Sequence, residues 1–184
     1  MTRILKNTKI GVKISLALAL PVLGLLFFSG YTAVEKYRTA HEMGRVLALA
    51  DLAPTISALV HEMQKERGAS AGFIGSKGSK FTKKLSDQRL LTDGTFEALQ
   101  TAISQFDTSR YSATLANKMT AANGALSDLA GVRSQVSNLE FSIPKMAAYY
   151  TSTIGKLLSI IEEMALLSTD VRISQSITAY TAFL

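Results

Sequence analysis

Apolar residues are distributed along this chain in two distinct ways. From Ile14 to Val34 they form a block, ISLALALPVLGLLFFSGYTAV, that contains no charged side chain. From residue 35 onward they recur at steps of three and four, the period of a helix with one face in a core. No alternating stretch of useful strand length occurs there, and the only prolines are Pro54 and Pro144. The pattern predicts four long helices after the apolar block. The first runs to about Ile74, with Pro54 as a place for a kink, and ends at GSKGSK, Gly75 to Lys80. The second starts behind Ser79 as its N-cap and carries Phe81, Leu85, Thr92, Phe96 and Leu99 on one side. Asp107-Thr108-Ser109 is turn chemistry able to cap the third, which carries Leu115, Met119, Ala122, Leu126, Leu129, Val132 and Val136. Ser142 caps the fourth, with Pro144 in the first turn, where its missing N–H costs little. That helix carries Met146, Tyr150, Leu157, Ile161 and Met164. It continues past a candidate break at Thr169-Asp170 through Ile173, Ile177 and Tyr180. Short turns between long amphipathic helices make neighbours antiparallel, so the expected fold is an all-α, up-down bundle of four long helices.

The apolar block changes the picture. A hydrocarbon core about 30 Å thick needs roughly 20 residues of helix, and residues 14–34 supply them. Arg3, Lys6, Lys9 and Lys13 ahead of the block place the N-terminus in the cytoplasm. The chain then divides into a basic cytoplasmic tail (1–13), a transmembrane helix preceding the bundle (14–34) and an extracytoplasmic sensor domain (35–184). A cleaved signal peptide is the alternative, but the block is long for one and Ser29-Gly30 lacks a clean cleavage pattern. Either reading exports residues 35–184, to the periplasmic side of the inner membrane or the exterior. The chain stops at Phe183-Leu184 within a helical pattern, which reads as a C-terminally truncated fragment of a longer receptor.

Charge supports this division. The net charge is +6, but four of the 20 basic residues precede the first acid, Glu35. The exported part carries the other 16 against all 14 acids, an ordinary surface with no nucleic-acid partner implied.

Catalytic chemistry has little to work with. There is no cysteine. His41 and His61 are far apart, and no Glu-x-x-His pair for a metal in a bundle is present. Glu162-Glu163 and Lys83-Lys84 read as solvated neighbours. No catalytic residue, metal site or cofactor is expected.

One segment stands apart: HEMQKERGASAGFIG, His61 to Gly75. On a helical wheel Leu49, Ile56, Val60, Met63 and Ile74 fall within about 40° of Arg67, whereas Glu62, Lys65 and Glu66 fall off that stripe. The stripe reading puts Arg67 against a core or a partner helix and leaves Glu62 and Glu66 in solvent. A guanidinium so placed needs a counter-charge. Its planar fork of donors matches a planar oxyanion such as nitrate or a carboxylate. Ser70 adds a hydroxyl on the same side, and Gly68 leaves room. Arg67, Ser70 and Gly68 are therefore the candidate anion-binding residues. A snorkelling arginine, or one paired with an acid on a neighbouring helix, accounts for the same pattern.

These residues carry a resemblance. QKERGASAGF, Gln64 to Phe73, resembles the signature of the nitrate- and nitrite-sensing domain, the NIT domain of bacterial receptors. FTKKLSDQRLLTD (from Phe81), YYTSTIGKLLSIIEEMALLSTD (from Tyr149) and AYTAFL (from Ala179) are similar to later segments of that family. The resemblance implies a non-enzymatic helical sensor, set between membrane spans in chemotaxis receptors, histidine kinases and cyclases. It also implies that Arg67 contacts the ligand. The family's following Lys-, Glu- and Arg-rich block is not in this sequence. The mechanism expected is a homodimer through helix 1, whose apolar stripe exceeds what one bundle hides. Arg67 of each copy would then be bridged by one nitrate or nitrite.

Overall fold

In the computed structural model, the described residues are 9–181, with the side chains of Val12, Leu16 and residues 170–181 outside the description. The expectations for Arg3 and Lys6, for Ile173, Ile177 and Tyr180, and for the AYTAFL segment therefore fall wholly or partly outside the described residues. Five helices are described: α1 (Ile10–Gly75), α2 (Thr82–Gln105), α3 (Ala113–Ser127), α4 (Leu129–Ser137) and α5 (Ile143–Thr181). A single 3-10 turn, Thr108–Arg110, links α2 to α3. No strand occurs among the described residues. The chain forms two compact units, Met1–Gly44 and Arg45–Leu184.

In the first unit the apolar side chains are uncovered: Leu18, Leu23, Leu25, Phe27 and Phe28 are 61 to 74% exposed. An 18-residue window here has mean hydropathy 2.0 and no buried residue. It is long and apolar enough to cross a membrane. Pro21 does not interrupt α1, and neither does Pro54.

The second unit is the four-part bundle. Cross-contacts fix its order. Glu62 of α1 meets Gln88 of α2, and Gln100 of α2 meets Asn123 of α3. Lys118 of α3 meets Glu163 of α5, and Tyr150 of α5 returns to Glu66 of α1. Every neighbour is antiparallel: along α1–α5, for example, Gly75 faces Ile143 while Glu66 faces Tyr150. The core contains the predicted Ile56, Leu99, Leu115, Val136, Met146 and Leu157, each at most 1% exposed, and also Leu59, which the predicted stripe left out. The α1 stripe is buried within one chain from Leu49 to Met63. The premise that one bundle cannot hide it therefore fails.

The predicted third helix is α3 and α4 together, broken at Asp128. The break falls among weak helix formers, Gly124, Ser127, Asp128 and Gly131. There the Ser127 hydroxyl donates to the Gly124 carbonyl at 2.6 Å. α5 runs unbroken through Thr169-Asp170, against the expected break.

Two caps differ from expectation. Ser79 does not cap α2: its hydroxyl donates to the Ser76 carbonyl, inside the turn. The residue before α2 is Phe81, at φ 68°, a left-handed conformation costly for a bulky side chain. Its ring lies where a Gly72 side chain would start, 2.8 Å from an ideal Cβ, so Gly72 admits the ring that anchors the turn. Asp107 caps the 3-10 turn by accepting from the Ser109 amide. Ser112 caps α3 by accepting from the Leu115 amide. The Ser142 hydroxyl accepts from the Lys145 amide at 3.4 Å, as expected of the α5 cap.

Candidate functional site

The α1 seam facing the bundle has a seven-residue repeat. Leu52, Leu59 and Glu66 lie on one line; Ile56, Met63 and Ser70 lie on the other. All six are at most 3% exposed. The repeat is the seam of a helix packed along its length against others, and it puts one carboxylate and one hydroxyl in the core. On the wheel the centre of these six residues lies about 60° from Arg67, so the predicted stripe residues Leu49, Ile56, Val60 and Met63 are buried while Arg67 stands at the edge of the seam and not at its middle. Glu66 is therefore buried, not solvated, and Glu62 is only partly exposed.

A buried carboxylate must be matched, and Glu66 is. Arg133 of α4 grips it with two parallel bonds, Nε to Oε1 at 2.7 Å and Nη2 to Oε2 at 2.8 Å. The Tyr150 phenol donates to Oε1 at 2.8 Å. Arg89 Nε of α2 lies 3.7 Å from Oε1, an ionic contact without a hydrogen bond. The Arg89 Nη groups donate instead to the Ser137 hydroxyl and the Arg133 carbonyl. Arg133 Nη1 also bonds to Asp93. Two carboxylates thus meet two guanidinium groups, and the cluster is neutral. Burial alone would raise the Glu66 carboxyl; the bonds and charge of Arg133 outweigh it and hold the group below its ordinary 4.5. Burial, then the Glu66 charge, push the Tyr150 phenol up, so it remains a donor.

The predicted site residues sit around this cluster but do not converge on one point. Arg67 is half-buried at the edge of the seam, and its Nη1 donates to Thr151 Oγ1 of α5 at 2.9 Å. Among the described residues it has no carboxylate partner. Ser70 is fully buried; it lies against the Tyr150 phenol, but its oxygen makes no hydrogen bond of good geometry. Gly68 is exposed, with nothing within 4 Å of where a Cβ would stand. His41 and His61 are exposed. Glu163, taken as a solvated neighbour of Glu162, accepts from Lys118 and from the Ser112 hydroxyl. A void lined by Ile56, Leu99, Met119 and Leu157 measures about 10 Å³. Apart from Asn123 its lining is apolar, and it carries no charge to hold an anion.

Glu66, Arg89, Asp93, Arg133 and Tyr150 were missed by the sequence reading. The signal available for Glu66 was the heptad count, which places it in line with Leu52 and Leu59. Nothing local marks Arg133, 67 positions away, as its partner.

Comparison with known proteins bears on what this arrangement is for. The family model described as nitrate and nitrite sensing matches residues 58–184. A solved structure, that of the NasR transcription antiterminator, superposes with a TM-score of 0.69 at 23% identity. The match covers 77% of this chain and 38% of that one, and at this identity it speaks to the fold. No curated protein matches the chain.

Proposed function

Since the chain belongs to the nitrate and nitrite sensing family, we propose that its bundle captures one of these anions at Arg67, with Gly68 on the exposed side and Ser70 on the buried side of that arginine. The observation that carries this reading is the contrast between adjacent residues. Glu66 is fully matched by Arg133, Arg89 and Tyr150, whereas Arg67 bonds only a neutral hydroxyl among the described residues. A permanently charged fork on a half-buried edge is open to an oxyanion that pairs with it edge to edge. Open space at Gly68 leaves the approach free. Ser70, one turn on, is buried against the Tyr150 phenol, and its hydroxyl makes no hydrogen bond of good geometry.

On this reading the domain is regulatory and performs no reaction of its own. The apolar Ile14–Val34 segment anchors it in the inner membrane, with the bundle on the periplasmic side, in a chemoreceptor or sensor kinase. Its working partners are the anion, the membrane and a second copy, and no nucleic acid. With the apolar stripe used up inside one chain, the second copy on this reading packs on the exposed face of α1, which carries Pro54, Ser57, Ala58, His61 and Lys65. The anion shifts the balance between two helix arrangements to the extent that it binds one of them better. α1 carries both Arg67 and the apolar segment, and so serves as the output.

Thermal unfolding of the full chain in detergent, with nitrate, nitrite, acetate or chloride added, tests this. An anion at a hundred times its Kd stabilises by about 2.7 kcal/mol. Nitrate or nitrite raising the midpoint above chloride is expected. Stabilisation by acetate alone would make the site a carboxylate seat. Indifference to all four would leave α1 as an interaction helix without a ligand.

A further inference from the structure

We infer that Thr151 is a second anion-binding residue, its hydroxyl donating to the same oxyanion that Arg67 clamps and selecting oxyanions over halides. The inference rests on the reading of Arg67 as the seat and adds to it a donor from a different helix.

Three observations lead to it. First, Arg67 Nη1 donates to Thr151 Oγ1 at 2.9 Å, from α1 across to α5. In that bond the threonine oxygen is the acceptor, and a hydroxyl has one proton besides its two acceptor sites. Second, that proton is uncommitted. Helix threonines in this protein, such as Thr92, Thr120 and Thr153, spend theirs on the carbonyl four residues back. Among the described residues Thr151 makes no such bond. Third, the surroundings are unfilled. Thr151 is exposed. Gly155, one turn along α5, and Gly68 on α1 both have nothing within 4 Å of where a Cβ would stand.

The chemistry follows from the donor set. A guanidinium edge offers parallel N–H groups in one plane. The Thr151 hydroxyl supplies a further donor beside it from the opposite helix. An ion with several acceptor oxygens uses all of these at once. A halide, a single spherical acceptor, gains mainly the charge of Arg67. The same geometry makes the bound anion a bridge between α1 and α5, so that binding is read as a tie between two helices.

The test is nitrate titration by calorimetry on the full chain in detergent, with wild type, Thr151→Val, Thr151→Ser and Arg67→Ala. Loss of one hydrogen bond to a charged ligand predicts about tenfold weaker binding for Thr151→Val. Thr151→Ser keeps the hydroxyl and stays within about threefold of wild type. Thr151→Val also loses the bond from Arg67, so its unfolding midpoint without anion falls slightly while Thr151→Ser keeps the wild-type value, and affinities are compared at a temperature where all four proteins are folded. Wild-type affinity in Thr151→Val, with binding lost in Arg67→Ala, overturns the role of Thr151 and leaves the Arg67 seat standing. Equal weakening in Thr151→Val and Thr151→Ser also overturns it, because the hydroxyl would then not be the cause. Wild-type affinity in Arg67→Ala removes the seat itself, and this inference with it.

Discussion

Replacing Glu66 by glutamine removes the charge that the bundle is built around while keeping the side chain's shape. The carboxylate is fully buried and takes two bonds from Arg133 and one from Tyr150. Deleting one partner of a buried ion pair costs about 3–5 kcal/mol, because the other charge is left unmatched. Two features reduce that here. Arg133 keeps its bond to Asp93, and the Arg133 and Arg89 side chains, 15% and 21% exposed, can be partly hydrated. One feature works the other way: the glutamine amide turns an N–H₂ group toward a guanidinium. The expected loss is roughly 2–4 kcal/mol, or about 6–12 °C in unfolding midpoint for a domain of this size. Far-ultraviolet circular dichroism of the full chain in detergent reads it. Adding Arg133→Met to Glu66→Gln should cost less than the two single changes summed, since both charges then leave together. A Glu66→Gln midpoint within about 1–2 °C of wild type would refute the view that this cluster ties α1 to α4 and α5.

Acid should weaken the bundle through the same group. The folded-state carboxyl of Glu66 lies below 4.5, so its contribution is complete above that value and is lost as pH falls through the folded one. Glu62, held down by the Gln88 and Lys65 bonds, adds in the same direction. Urea titrations over a pH series should show stability falling below about pH 4.5, with a shallower fall in Glu66→Gln; an unchanged slope would exclude Glu66 as the cause. For the anchor, Leu25→Arg puts a charge near the middle of the apolar segment at a cost of about 2.5–3.5 kcal/mol of membrane insertion. Carbonate extraction of cell membranes should show the variant released more than wild type, and equal release of both would count against a spanning helix.

The fold was largely legible in the sequence because its signals are local. The three-and-four spacing marked the helices, GSKGSK marked the first turn, and Ser142 followed by Pro144 marked the start of α5. The errors came where a distant contact decides a local outcome. Phe81 takes a left-handed backbone because Gly72, on another helix, leaves room for its ring. Ser79 is drawn into the turn by the Ser76 carbonyl. The site shows the same division. Arg67 was visible as a charge in an apolar stripe, but the wheel put it at the middle, because an apolar count alone does not separate the seam from its edge. Glu66 sits on the seam only because Arg133 and Tyr150 face it. Those partners come from helices whose register no single-helix wheel contains.

The central claim is that an oxyanion from solution, and no carboxylate of the bundle, answers the charge of Arg67. A calorimetric titration of nitrate into the full chain, beside the same titration into Arg67→Ala, tests it most directly. Saturable heat is expected for the wild type and none for the variant, with the two proteins equally helical. Equal binding by both, or no heat from the wild type, would contradict it.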